Sequence, residues 1–307
     1  VGYAFAIFHL ITHGAFKAGL FLGAGSVMHG MNDDVNMRHF GALRTSMKIT
    51  WATFALGWLA ILGIPPFSGF WSKDLIIEAA FSGTGWQPWV FGGATLIGAG
   101  ITALYMSRLY FMTFHGKARW HEPGQDGPGP EREPHEAGLL MTVPMIILAA
   151  GSVGLGLVLY QGVPFLGFLE SVTGTTETDP VLPVWLLITM TMVLVVLGVG
   201  IAWREFAAKE VPMEAPRGSA LTRAARADLY GDSVNEALFM RPGQALTRTL
   251  VVTDRDVIDG AVNGLAGGTT GLGSWLRRLQ TGYARTYAAT MAFGVLLVLV
   301  LVLATRV

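Results

Sequence analysis

Long apolar runs constrain this chain more than any other feature. A helix needs about 20 mostly apolar residues to cross the ~30 Å hydrocarbon core of a bilayer. Runs of that kind occupy positions 3–29, 49–81, 89–114, 138–160, 182–203 and 284–304. Backbone in lipid must satisfy its own polar groups, so such runs are helices. The expected fold is an all-α polytopic membrane protein with six transmembrane helices. Composition agrees: of 307 residues 52% are hydrophobic and 14% charged, where soluble domains carry roughly a quarter charged. The net charge of zero gives no reason to expect nucleic acid as a partner. The absence of cysteine excludes disulfides, thiolate zinc sites and cysteine-ligated iron–sulfur clusters. No cofactor is therefore expected in this chain. It opens on Val1 inside an apolar run, which reads as a fragment whose N-terminal part is missing.

The spacers alternate in charge. Segment 30–48 holds Arg38, Arg44 and Lys48, and 115–137 holds Lys117, Arg119 and Arg132. Segments 82–88 and 161–181 hold no Lys or Arg, and the stretch from Arg204 to Tyr283 is rich in arginine. Cytoplasmic loops carry the positive excess. The basic spacers are thus expected inside, with Val1 and Val307 near the outer face after six crossings.

The second run is too long for one span. From Ile49 to Phe81 it would measure about 50 Å as a continuous helix. Its middle reads LGIPPFSGFWSKD. Pro65 and Pro66 remove two backbone donors, and Pro66 disfavours a helical conformation at Pro65. Two half-helices joined by an irregular loop are expected, a construction found at ion sites in transporters. A helix–turn–helix near the membrane surface is the simpler alternative.

Of 21 lysines and arginines, Lys17, Lys73 and Arg108 fall within these runs, besides Arg285 at the very start of the last one. A charge at the bilayer centre costs at least about 2.5 kcal/mol on insertion scales, so each requires a reason. His9, His13 and Lys17 are spaced by four and lie on one helical stripe rising about 12 Å, with Thr12 beside it. Titratable groups at that spacing can pass a proton through bridging water. The competing reading is two core histidines and a structural lysine paired with another helix. A metal site is poorly supported, because neither an adjacent Glu nor a Cys completes the His-x-x-x-His pair. Lys73 and Asp74 follow the break, and as helical neighbours they face different partners. Glu78 continues the Asp74 face. Arg108, near the cytoplasmic end of its span with His115 at the boundary, is read as snorkelling to the interface.

Between Ala227 and Gln280, Val234, Leu238, Leu246, Leu250, Val257, Ala261 and Leu265 recur at helical spacing among polar residues. This predicts a long amphipathic helix, interrupted near Pro242 and loosened by glycines at 264–273, lying along the cytoplasmic membrane face. The alternative is a small soluble domain, but few aromatics are available to build its core. The organisation expected is a five-span bundle at 1–203, a loop at 204–226, the lateral helix at 227–282 and a last span at 283–307.

The run FHLITHGAFKAGLFLGAGSVMHGM resembles the helix that carries the central lysine in the antiporter-like membrane subunits of NADH-quinone oxidoreductase, respiratory complex I. LGIPPFSGFWSKD resembles their second discontinuous helix. The lateral segment and LQTGYARTYA before the last span resemble the distal member of that set. The first two motifs also occur in multisubunit cation/proton antiporters and membrane-bound hydrogenases. Gly14, Ala15 and Gly19 depart from the pattern, where Ala, Phe and a larger residue are expected.

The resemblance implies a proton-translocating subunit of a bacterial inner membrane, with redox chemistry in other subunits. It implies Lys17 as the central relay, His9 and His13 along a hydrated axis, and Lys73 with Asp74 on the exit side. The implied partners are the lipid bilayer, protons and neighbouring membrane subunits of the complex. A sodium/proton antiporter subunit and a structural brace with vestigial charges are the competing functions.

Overall fold

The computed structural model describes residues 2–120, 133–163, 165–174, 178–212, 214 and 218–305. Its regular structure is helical throughout. The chain divides into two compact units, Val1–Pro216 and Arg217–Val307.

The first unit contains α1 (Gly2–Gly30), α2 (Lys48–Leu62), α3 (Ser68–Ala80), α4 (Gln87–Phe114), α5 (Leu139–Leu157), α6 (Phe165–Thr173) and α7 (Val184–Phe206). α5 continues through a wide π-type turn, Val158–Gly162. α1 packs against α2, α3 and α5, while α4 lies along α7. Small residues permit this second contact: a Cβ on Gly198 would come within 3.0 Å of the Gly100 carbonyl oxygen. Close approach at small residues is how helices gain packing energy where lipid supplies no hydrophobic drive. Phe16, Leu20, Phe54, Tyr110, Phe111 and Phe114 fill the core. Trp58 stacks on Tyr110 at 4.4 Å and donates its indole N–H to Ser107 Oγ at 3.1 Å. Outward faces are apolar, with Ile97, Ile101, Val196 and Leu197 all exposed. Unlike the surface of a soluble bundle, such faces suit lipid.

Among the described residues, five helices are long and apolar enough to cross a membrane: α1, α4, Leu139–Gly162, α7 and the last helix of the second unit. The run expected as a second span is divided, as its prolines predicted, into α2 and α3, and α2 is too short to be counted with these five. Gly63 ends α2 at φ +77°, donating to Ala60 O at 3.0 Å, and Ile64 N donates to Leu59 O at 3.2 Å. This doubly bonded ending needs the left-handed backbone that glycine adopts without strain.

The ends of this half-helix pair are fastened by distant residues. Glu136 accepts from the Ile49 and Thr50 backbone N–H groups at 2.7 and 3.2 Å, and from the Thr50 hydroxyl. A carboxylate there satisfies donors that a helix start leaves open. Thr50 Oγ1 also meets Ser26 Oγ on α1 at 2.7 Å. Arg119 is buried and donates to the carbonyls of Met37, Arg38, Met112 and Lys117, tying the 37–41 segment to the end of α4.

The second unit holds α8 (Ala220–Arg226), α9 (Gly231–Asn235), α10 (Arg241–Val252), α11 (Asp259–Arg278) and α12 (Ala284–Ala304). Wide turns at Glu236–Met240 and Thr253–Ile258 join α9, α10 and α11 into one helical run. Ser219 caps α8 by accepting from Thr222 N at 3.2 Å.

The interruption expected near Pro242 takes the form of the Glu236–Met240 wide turn, and the proline follows it in the first turn of α10. α11 runs unbroken through the glycines at 264–273 that are expected to loosen it. The 161–181 and 204–226 segments, read as spacer and loop, contain α6 and α8. Arg108 is exposed, as snorkelling requires, with its guanidinium 5.5 Å from the Phe206 ring centre.

Candidate functional site

The stripe and the broken helix meet. A cavity of about 200 Å³ is lined by His9, His13, Phe16 and Lys17 of α1, Ile61 of α2, Gly69 and Lys73 of α3, and Thr102 and Tyr105 of α4. Helical spacing of four placed the three α1 groups on one face, and that face is turned to the break. The His9 and His13 rings are 5.5 Å apart and tilted by 40°. Lys17 is half-buried, with Nζ 5.2 Å from the Phe21 ring centre.

Lys73 reaches back across the break. Its ammonium lies 3.5 Å from Ile61 O, at the limit of a hydrogen bond. Ile61 is in the last turn of α2, where carbonyls lack helical partners and the helix end carries partial negative charge. The break thus creates an acceptor for a cation inside the bundle. The two halves approach closely because residue 69 is glycine. A Cβ there would lie 1.8 Å from Ala60 O.

Asp74 takes a different direction. With Glu78 it borders a second cavity, of about 220 Å³, whose other walls include Trp71, Tyr160, Leu187 and Thr191. Both Asp74 carboxylate oxygens are buried, and neither meets a hydrogen-bond donor among the described residues. Glu78 accepts from the Thr178 hydroxyl, and Val181 N donates to Phe81 O at 3.0 Å, so the 178–181 segment folds over the end of α3. Of the five residues expected to form a site, the structure brings His9, His13, Lys17 and Lys73 to one cavity and Asp74 to the other.

Sequence reading missed Ser72. It is fully buried on α3, one position before Lys73, with its hydroxyl 3.0 Å from His9 Nδ1 and 2.7 Å from Thr12 Oγ1. Ser68 was also missed. Its hydroxyl donates to Gly151 O at 2.7 Å and accepts from Gly156 N at 2.9 Å, locking the start of α3 onto α5. A serine in an apolar run carries no pattern of its own, so neither was legible. The membership of Thr102 and Tyr105 depends on how α4 packs, and that too is invisible in one strand of sequence.

Basic and imidazole groups collected beside a broken helix in an apolar bundle are costly to keep there, which makes this cavity a candidate ion site. Residues 1–102 match the transmembrane family described as NADH:quinone oxidoreductase/Mrp antiporter. Over nearly its whole length the chain is homologous to NADH-quinone oxidoreductase subunit L. It is 49% identical over 299 residues to subunit L of Mycobacterium tuberculosis, covering 97% of this chain and 46% of that protein. Identity to subunit L of Neisseria meningitidis serogroup A is 35% over 335 residues, covering 97% and 48%. NAD(P)H-quinone oxidoreductase chain 5 of Picosynechococcus is 36% identical over 328 residues, covering 96% and 48%. The chain spans about half the length of the curated relatives it matches.

Proposed function

We propose that this chain is part of a proton-translocating membrane subunit of a bacterial NADH-quinone oxidoreductase, the counterpart of subunit L. The observation that carries this reading is the convergence of His9, His13, Lys17 and Lys73 on one cavity at the α2–α3 break. Protons pass along the α1 stripe, with Lys17 as central relay and Lys73 as the group on the exit side. Asp74 and Glu78, bordering the next cavity, lead onward toward the outer face. Burying several ionisable groups inside an apolar bundle is costly, and a bundle without transport gains nothing from keeping them together.

In this reading the α2–α3 pair serves as a sixth, discontinuous crossing. The basic spacers lie on the cytoplasmic side of the bacterial plasma membrane. The helical run Gly231–Arg278 is the lateral helix, resting along the cytoplasmic face against neighbouring membrane subunits. The chain is a non-redox component: NADH oxidation and quinone reduction belong to other subunits, and no cofactor is assigned to this one. A multisubunit sodium/proton antiporter is the second reading, supported by the family description that covers residues 1–102.

The test is Lys17→Ala in the full-length protein within its complex. Proton uptake driven by NADH is expected to fall sharply while assembly and NADH-to-quinone electron transfer persist. Unchanged uptake in an assembled complex refutes the relay. Uptake that requires sodium favours the antiporter reading.

A further inference from the structure

His9 is tied to α3 through two hydroxyl groups, and their hydrogen-bond directions can be followed one proton at a time. Thr12 Oγ1 lies 3.1 Å from His9 O and 3.4 Å from Phe8 O, the two carbonyls to which a helical threonine donates. If its single proton goes there, Thr12 accepts at Ser72. The 2.7 Å contact is then a donation from Ser72 to Thr12. Ser72 has no second proton. Its 3.0 Å contact with His9 Nδ1 must be a donation from the imidazole. The third oxygen near Ser72 is Ser68 O, at 3.4 Å. If the serine proton pointed there instead, Ser72 would still accept from His9. An arrangement that leaves Nδ1 bare either takes Thr12 off its own-helix carbonyls or leaves the 2.7 Å oxygen pair with no proton between them, and makes one hydrogen bond fewer.

We propose that Thr12 and Ser72 are positioning residues that hold neutral His9 in its Nδ1–H tautomer, so that Nε2 is the imidazole nitrogen that takes up and returns a proton. This inference rests on the proton-relay reading given above. Thr12 and Ser72 are both fully buried, so water does not compete for these bonds. The imidazole accepts a proton at Nε2, becomes imidazolium, and gives up the same proton. Nδ1–H stays bonded to Ser72 throughout, and no proton enters the hydroxyl pair. The ionisable groups sharing the cavity with His9 are His13 and Lys17 on α1, Lys73 on α3 and Tyr105 on α4. Because Ser72 immediately precedes Lys73, a displacement of α3 moves the lysine and loosens the histidine's orienting bond together. Second-partner hydrogen bonds of this kind fix which ring nitrogen is available.

The experiment uses the full-length protein in its complex, with histidine labelled by ¹⁵N in the ring. His9 signals are assigned by difference from His9→Gln. The wild type is expected to carry its hydrogen on Nδ1. Ser72→Ala removes the acceptor and is expected to move the hydrogen to Nε2. It should also lower NADH-driven proton uptake about fivefold, the effect of one net hydrogen bond on an equilibrium, with assembly and electron transfer unchanged. Thr12→Val keeps the side-chain shape and should act in the same direction with a smaller effect. A hydrogen on Nε2 in the wild type overturns the proposal. So does Ser72→Ala with an unmoved tautomer, whether uptake is normal or assembly alone is damaged. The Lys17→Ala result separates this from the functional reading: a silent Lys17→Ala refutes the relay, whereas a damaging Lys17→Ala beside a silent Ser72→Ala refutes only the positioning role.

Discussion

Replacing Gly69 by alanine tests the geometry of the break directly. The added Cβ would lie 1.8 Å from Ala60 O and 2.9 Å from Ala60 C, both backbone atoms that no side-chain rotation can move. An ordinary carbon–oxygen contact exceeds 3 Å, so α3 must retreat from α2 by more than about 1 Å. Overpacking of that kind costs roughly 1–3 kcal/mol. Ala60 O also receives the Gly63 N–H that closes α2, and losing that bond adds about 1 kcal/mol. The expected total is about 2–4 kcal/mol, a large fraction of a typical domain's 5–15 kcal/mol. Gly14→Ala is the control, because a Cβ there meets nothing within 4 Å. Thermal unfolding of the detergent-solubilised complex, followed by tryptophan fluorescence, should show a lower midpoint for Gly69→Ala and none for Gly14→Ala. Proton uptake should fall with it, since retreat of α3 carries Lys73 away from Ile61 O. A Gly69→Ala protein with wild-type midpoint and uptake would show that the half-helices do not meet as described, and the reasoning about Lys73 would fail with it.

Other expectations follow from the same contacts. Lys73→Met should preserve assembly and electron transfer while lowering proton uptake at least tenfold, measured in sealed vesicles; normal uptake would remove Lys73 from the route. Glu136→Gln keeps the size of the cap but loses its charge, and should destabilise the start of α2 by about 1 kcal/mol, read as a lower unfolding midpoint and faster amide exchange at Ile49 and Thr50. Deleting residues 227–280 while keeping the last helix anchored should impair assembly, or lower pumping in proportion to assembly. Normal assembly and electron transfer with abolished pumping would instead identify a driving element.

Apolar run length and proline placement made most of the fold legible. α1, α4, α7 and α12 each begin and end within a few residues of the runs that predicted them, because the hydrocarbon thickness fixes helix length. The α1 stripe was legible because a spacing of four is a property of one helix. Contacts between helices were not. Glu136 caps a helix 86 residues earlier, Ser72 meets Thr12 across 60 residues, and Arg119 satisfies four carbonyls from a segment read only as a basic spacer.

The break between α2 and α3 also changes what resists twisting. A continuous helix transmits torsion, since turning one end strains every backbone hydrogen bond along it. α3 shares no such ladder with α2. Its angle is held by the fit of Gly69 against Ala60, the Ser68 bonds to α5, the Ser72 contacts with α1 and, at its far end, the burial of Ile77 and the Glu78–Thr178 bond. Successive helical residues point about 100° apart, and Lys73 and Asp74 open on separate cavities. α3 is thus a partition with a cation on one side and a carboxylate on the other. Its setting is fixed by a handful of side-chain contacts, each of which a single substitution can remove.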